Sequence, residues 1–264
     1  TNAGDSFTGT DAIQNTLFGY DAGTALTSGD SNTAVGFNAL KSHTTASSNT
    51  AIGQYAMTNS TAGGNNVAVG ALAGANTAAG TNNWIGVYCG YSSTSGTANN
   101  GLGYFALYSN TSGSSNVAIG KSALHANTTG SNNVAIGFEA LYTEDTISGV
   151  VAIGYRALKT QNASFGLNTA VGYMAGTALT NSTENVFVGY YAGAALTTGD
   201  GTFIGGKAGE NTTTGGSLVA IGKDSLKANT TGSSNVAVGN SSLAANTTGG
   251  SNTAVGSGCL DALT

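Results

Sequence analysis

The stretch Asn116-Val-Ala-Ile-Gly120-Lys-Ser-Ala-Leu124 is one copy of a motif that recurs along the whole 264-residue chain. Its glycine, called the repeat glycine below, occurs fifteen times, and of the fourteen intervals eleven are 17 residues, two are 16 and one is 18. The repeat glycines are Gly19, Gly36, Gly53, Gly70, Gly86, Gly103, Gly120, Gly137, Gly154, Gly172, Gly189, Gly205, Gly222, Gly239 and Gly256. A unit this short cannot enclose a core of its own, so the spacing predicts one array of stacked repeats, or rungs.

The columns of the repeat predict a short strand in every rung. The residue before the repeat glycine is always apolar, and the residue two positions earlier is Thr or Val in thirteen copies. Alternating β-branched residues indicate a strand with one buried face, so we expect these two columns to be buried. Ala lies between them in ten copies, and we expect this small face to suit the close approach of another chain. Trp84, Phe187 and Phe203 replace that Ala, either as plugs at a chain interface or as exposed contacts.

The remaining columns predict how each rung turns back. Asn stands four residues before the glycine in twelve copies, where it suits a corner and could form a hydrogen-bonded amide ladder in register. Polar turns such as Asn127–Gly130 follow, and proline, which cannot donate to a ladder, is absent. We predict an all-β fold, a repetitive parallel β-solenoid or β-roll of about fifteen 17-residue rungs. It forms a single repeat domain over residues 15–264, and residues 1–14 form a lead-in or cap.

The composition argues against several classes of protein. Only 7 Lys+Arg and 12 Asp+Glu occur, so charged residues make up 7% of the chain, where about a quarter is usual. Seven scattered cations cannot form the basic face that nucleic acid requires. No run of 18 apolar residues occurs, so we expect no insertion into a membrane.

The residues that could carry catalysis are few and scattered. The two histidines, His43 and His125, fall in turns, where we expect them to be solvated. Cys89 and Cys259 stand in a column otherwise filled by Ala or Ser, which predicts small buried side chains rather than a reactive thiol. The only adjacent acids are the pair Glu144–Asp145. We therefore expect no enzyme, no catalytic or metal site and no cofactor.

One column of aromatic residues is a candidate for recognition. Phe138, Tyr155, Tyr173 and Tyr190, called the aromatic column below, directly follow the repeat glycine in four consecutive rungs, with Tyr142 and Tyr191 nearby. Lys121 and Lys223 occupy the same column elsewhere, so it should face solvent and could contact a receptor or glycan. If the strand continues past the repeat glycine, alternation would turn Arg156 towards the opposite face. The alternative is stacking between rungs that only stabilises the fold.

The motif also carries a family resemblance. The fifteen copies of the motif resemble the NTAVG-type repeats of phage and viral tail-fibre proteins, as in Asn116-Val-Ala-Ile-Gly120-Lys-Ser-Ala-Leu124. They also resemble the head repeats of trimeric autotransporter adhesins. The resemblance covers about residues 15–260 and implies a left-handed parallel β-roll assembled as a homotrimer. It implies a structural and adhesive segment of a virion tail fibre that attaches to a host-cell glycan or protein receptor. A bacterial surface adhesin head is the second reading, and an ice-binding solenoid the third.

Overall fold

A computed structural model describes residues 3–4, 12–61, 63–162 and 166–261. All the regular secondary structure of these residues is β-strand, with no helix. The chain forms two compact units, Thr1–Asn132 and Asn133–Thr264, and each is described by itself. Of the predicted lead-in or cap at residues 1–14, most lies outside the described residues.

Each strand has three or four residues and ends directly before a repeat glycine. Unit 1 contains β1 (Thr16–Phe18), β2 (Thr33–Val35), β3 (Thr50–Ile52), β4 (Val67–Val69), β5 (Asn83–Ile85), β6 (Asn100–Leu102) and β7 (Val117–Ile119). Unit 2 contains β8 (Val134–Ile136), β9 (Val151–Ile153), β10 (Thr169–Val171), β11 (Val186–Val188), β12 (Gly201–Ile204), β13 (Leu218–Ile221), β14 (Val236–Val238) and β15 (Thr253–Val255).

Within each unit the strands pair in parallel and in chain order, each with the strand of the next rung. The motif columns set the register, so Ala34 pairs with Ala51 and Ile136 with Ile153. Irregular intervals leave this register intact, because the missing or extra residue lies outside the strands, as in the pairing of Val67 with Asn83. The prediction of an all-β parallel solenoid is confirmed. Handedness and trimerisation stay predictions.

The return half of each rung consists of turns that also bond to neighbouring rungs. The Asn38 N–H donates to Tyr20 O at 2.9 Å, and the Leu40 N–H donates to Ala56 O at 3.0 Å. These bonds run in opposite directions along the stack. Backbone N–H and C=O groups therefore find partners outside the sheet as well, which a rung of 17 residues needs because most of it is turn.

The prediction of which strand face is buried is wrong. The Ala column faces the interior, where Ala51 and Ala118 have no exposed surface, whereas Ile52 and Ile119 in the column before the glycine are 39% and 38% exposed. The interior also holds the large side chains that lie four residues after the glycine, such as the fully buried Leu124. Because these fill the narrow coil from the turn side, only a small residue fits opposite them. The Ala face is therefore unavailable to another chain.

The three large residues in the Ala column are also interior, so both readings offered for them are wrong. Trp84, Phe187 and Phe203 are fully buried. Their rungs have glycine where other rungs have Leu or Met, so the ring fills the space that the aliphatic side chain leaves. The rings of Phe187 and Phe203 stack across two rungs, with centroids 5.5 Å apart. The Trp84 and Phe187 rings also reach the glycine of the preceding rung, Gly74 and Gly176, so neighbouring rungs share the interior volume.

The predicted asparagine ladder is confirmed. Asn49 donates from its backbone N–H at 3.0 Å and from Nδ2 at 3.2 Å to Oδ1 of Asn32, and Asn66 repeats both bonds to Asn49. The Nδ2 atom of such a residue also reaches the turn, as from Asn99 to Gly113 O at 2.8 Å. The buried amides thus satisfy one another and tie each strand to the turn that follows it.

Candidate contact surfaces

The aromatic column is a stack of four rings in unit 2. Ring centroids are 5.3 Å apart for Phe138 and Tyr155, 4.9 Å for Tyr155 and Tyr173, and 5.5 Å for Tyr173 and Tyr190, and the planes lie within 23° of parallel. Tyr173 is 43% and Tyr190 52% exposed, while the other two rings are half-buried. The prediction that these residues stack and face solvent is confirmed. Because the strand register holds successive rungs in line, the rings form one surface.

The strand does not continue to Arg156, so the condition under which this residue would point away from the column is not met. Its Cζ lies 5.1 Å from the centroid of the Tyr155 ring and 5.7 Å from that of Phe138. The strand ends before the repeat glycine and Arg156 has a φ of 54°, so strand alternation does not apply there. The guanidinium is therefore placed over the aromatic column, where a cation is attracted to the ring faces.

A small ionic cluster holds this cation in place. Arg156 Nε lies 2.9 Å and Lys159 Nζ 2.8 Å from Oε2 of Glu139. Desolvation alone would raise the pKa of Glu139, but the hydrogen bonds and charges of Lys159 and Arg156 outweigh it and lower that pKa. One end of the aromatic column is thus lined by polar, charged groups, and the Tyr191 ring adds edge contacts at Tyr173 and Tyr190. Tyr142 lies beneath Lys159 instead.

Unit 1 contains an aromatic surface that sequence reasoning missed. Tyr91, Tyr108 and His125 form one stack with centroid spacings of 5.3 and 5.4 Å, and Tyr88 and Phe105 form a second, 5.1 Å apart. All five rings are half-buried. The signal was present, because aromatic residues stand two and five places after the glycine in consecutive rungs. It was overlooked because only the column adjoining the glycine was compared between rungs.

The outer face of the strands in each unit is an exposed apolar surface. Its residues directly before the repeat glycine, called the apolar stripe below, include Leu102 at 46% exposed in unit 1 and Ile204 at 37% in unit 2. No charged residue occurs in this column or in the other outward strand column. Parallel sheets are normally covered on both faces, and apolar patches of this kind mark association surfaces. The stripe is therefore a candidate interface.

The histidines are not the solvated turn residues that were expected. His43 is fully buried, with Nδ1 3.0 Å from Ser60 O and Nε2 3.0 Å from Asn49 Nδ2. This arrangement fits a neutral ring that donates from Nδ1 and accepts at Nε2, and burial lowers its pKa. His125 is half-buried in the ring stack of unit 1, and burial lowers its pKa too. Both rings serve packing or the interior hydrogen-bond network.

Two further titratable groups lie inside the coil. Cys89 is fully buried as predicted, and burial raises its pKa to about 12, so the thiol is not activated. Cys259, in the last described rung, is half-exposed. Glu144 is fully buried, and burial raises its pKa to about 7, although its Oε1 accepts a hydrogen bond from the Ile147 N–H. One acid of the Glu144–Asp145 pair therefore lies inside the coil.

The described residues bring no catalytic constellation together. They contain no group of three or more His, Cys, Asp or Glu side chains placed to hold a metal ion. Nor do the described residues include a helix with the length and apolarity needed to cross a bilayer. Comparison with protein-family models, with curated proteins and with solved structures found no match.

Proposed function

We propose that this chain is a non-enzymatic structural and adhesive fibre segment, which assembles as a homotrimer and forms the shaft or head of a viral tail fibre. The observation that carries the proposal is the apolar stripe. It repeats with every rung on the uncovered face of a parallel sheet, as at Ile119 and Ile153. A second copy of the chain, aligned in parallel rung by rung, would therefore present its own apolar residues at the same spacing. Three such faces close around one axis and leave no stripe exposed.

The aromatic column supplies the adhesive part of the proposal. Aromatic faces bordered by hydroxyls and by the Arg156 guanidinium suit a host-cell glycan or a protein receptor. A trimer would present the column three times, so weak single contacts would act together. The place of action is then the virion. The alternative is a bacterial cell-surface adhesin head, which would assemble and bind through the same two surfaces.

Ice binding, the third reading, gains no support from the threonines. The outward strand column contains at most three consecutive threonines in the described rungs, at Thr16, Thr33 and Thr50, before Val67 interrupts it. Turn threonines donate their hydroxyls to the coil itself, as Thr213 Oγ1 does to Thr230 O at 3.1 Å. No continuous flat hydroxyl row results.

The mass of the native protein tests the assembly. We expect a species of three times the 25.7 kDa of one chain in native mass spectrometry and analytical ultracentrifugation. Changing Ile85 and Ile119 to Lys should dissociate it, because each charge would be buried at the interface without a partner. The control pair Ser95→Lys and Ser112→Lys places the same charges on exposed turns and should leave the mass unchanged. A folded wild-type monomer would refute the trimer.

Binding to a printed array of cell-surface glycans tests the aromatic column. The double change Tyr155→Ser and Tyr173→Ser should abolish that binding while the coil stays folded, because both rings lie on the surface and stacked pairs contribute only about 0.5 to 1.5 kcal/mol. The control, Tyr104→Ser, removes an exposed ring from the same column in unit 1 and should retain binding. If the first variant binds as the wild type does, the column only stabilises the fold.

A further inference from the structure

A groove of about 490 Å³ opens on the turn side of unit 1. It lies between the residues that stand two and five or six places after the repeat glycine in rungs 2 to 4. Its walls include Asn38, Lys41, Ser42, Tyr55, Asn59 and Leu72. Its volume is in the range of small-molecule sites, and it is separate from the aromatic column, which belongs to unit 2.

One buried polar atom in this groove lacks a partner. Asn38 is only 7% exposed, and its Oδ1 accepts no hydrogen bond. A buried acceptor left unpaired is costly, so a ligand that donates a hydroxyl or amide N–H to it, once the Asn38 amide turns towards the groove, would be stabilised there. The other polar groups are already held in place, since Asn59 Nδ2 donates to Asn76 Oδ1 at 2.9 Å.

The groove also offers an apolar wall and little net charge. The Tyr55 ring is held edge-on against Phe37, with centroids 5.3 Å apart, and Leu72 lies in the same wall. The single cation, Lys41, is paired with Asp21 at 3.2 Å, and the chain has a net charge of −5. Anionic ligands therefore gain little here. A ring face, an unpaired acceptor and neutral hydrogen-bonding side chains together suit a neutral polyhydroxylated molecule.

We propose that this groove is a binding subsite for a neutral pyranose sugar. The sugar ring packs on Tyr55 and Leu72, and one of its hydroxyl or acetamido groups donates to Asn38 Oδ1. The inference rests on the adhesive function proposed above and names the class of glycan that unit 1 would contact. The contact is distinct from that of the aromatic column and needs no trimer.

Titration with free sugars tests the subsite. The probes are lactose, maltotriose and tri-N-acetylchitotriose, each measured by saturation-transfer NMR and by calorimetry against the full-length chain. At least one should bind, and Asn38→Gly should weaken it about tenfold by removing the acceptor. Tyr55→Asn should weaken it at least as much by removing the ring. Both positions have left-handed backbone, with φ of 58° and 59°, which Gly and Asn tolerate, so both variants should fold.

Two controls make the outcome decisive. Ser241→Gly changes the same column at the same backbone conformation, with φ of 52°, but outside the groove, and should bind as the wild type does. Sialyllactose should bind no better than lactose. Absence of binding by all three neutral probes, or unchanged affinity in both groove variants, overturns the proposal. Because these probes are free sugars, that failure would leave trimer assembly and array binding by the aromatic column intact.

Discussion

Replacing Trp84 with Ala is expected to lower the free energy of unfolding of the surrounding rungs by about 3 to 5 kcal/mol. The indole is fully buried, and its Nε1 donates to Thr77 Oγ1 at 3.0 Å. Two glycines flank it, since a Cβ added to Gly74 would lie 2.5 Å from Trp84 Cδ1 and one added to Gly90 would lie 2.3 Å from Cδ2. Neither glycine has a side chain that could move into the space, so a cavity remains.

A compensating change at Gly90 distinguishes packing from other causes. Seven of the fifteen rungs combine Ala in the strand with Leu four residues after the glycine, so Trp84→Ala together with Gly90→Leu recreates that combination. Leu adopts the required conformation elsewhere, because Leu107 has a φ of 51° against 61° at Gly90. Gly90→Leu alone should destabilise the rung by about 1 to 3 kcal/mol through its clash with the indole. The double variant should recover more than half of the loss.

Native-state hydrogen exchange measures these effects locally, which matters because a repeat array need not unfold in one step. The informative amides bridge the affected rungs, such as Asn83 N, which donates to Asn99 O at 2.9 Å. Amides of unit 2 serve as the internal control. If the costs of the two single changes simply add in the double variant, the indole and the Leu position do not share one space.

The same exchange of large and small residues explains which part of the fold the sequence could predict. Strand positions and register follow from the motif, because the columns recur at a nearly constant interval. The buried face did not follow, because alternation shows that two faces differ without showing which is inside. β-branched residues such as Val67 and Ile52 suit either face of a pleated strand. The glycines that stand beside Trp84 in its own and in the preceding rung indicate which face is buried, because only a ring inside the coil requires such space.

The sequence predicts the geometry of the aromatic column only where the register of successive strands alone determines it. The stacking of Tyr155 on Tyr173 follows from equal positions in successive rungs. The placement of Arg156 did not follow, because it depends on a left-handed backbone that its residue type does not disclose. His43 was misjudged for a related reason: its turn folds inward, so a residue far from any strand is fully buried. The groove of unit 1 needed three-dimensional packing, since its walls come from separate rungs.

Changing Gly205 to Ala is expected to separate rungs 12 and 13, whereas the same change at the adjacent Gly206 should be harmless. Gly205 has a φ of 136°, and a Cβ there would lie 2.5 Å from Gly222 O and 2.6 Å from Gly222 C. Backbone strain of about 1 to 3 kcal/mol therefore adds to a clash of about 1 to 3 kcal/mol. Gly206 has no atom within 4 Å of such a Cβ. Gly206→Ala should change stability by about 0.5 kcal/mol or less, since its side chain enters open space.

Exchange of the amides that join these rungs reports the difference, because Gly222 N donates to Ile204 O at 2.7 Å and Asp224 N to Gly206 O at 3.0 Å. Both should exchange faster in Gly205→Ala and at the wild-type rate in Gly206→Ala. Equal rates in the two variants would mean that contact between rungs does not require the repeat glycine. The clash is with backbone atoms, so no side-chain movement can relieve it. In thirteen of the fifteen copies a Cβ on the repeat glycine would meet the carbonyl of the next repeat glycine in the same way, so this contact explains the recurring glycine better than any feature of a single rung.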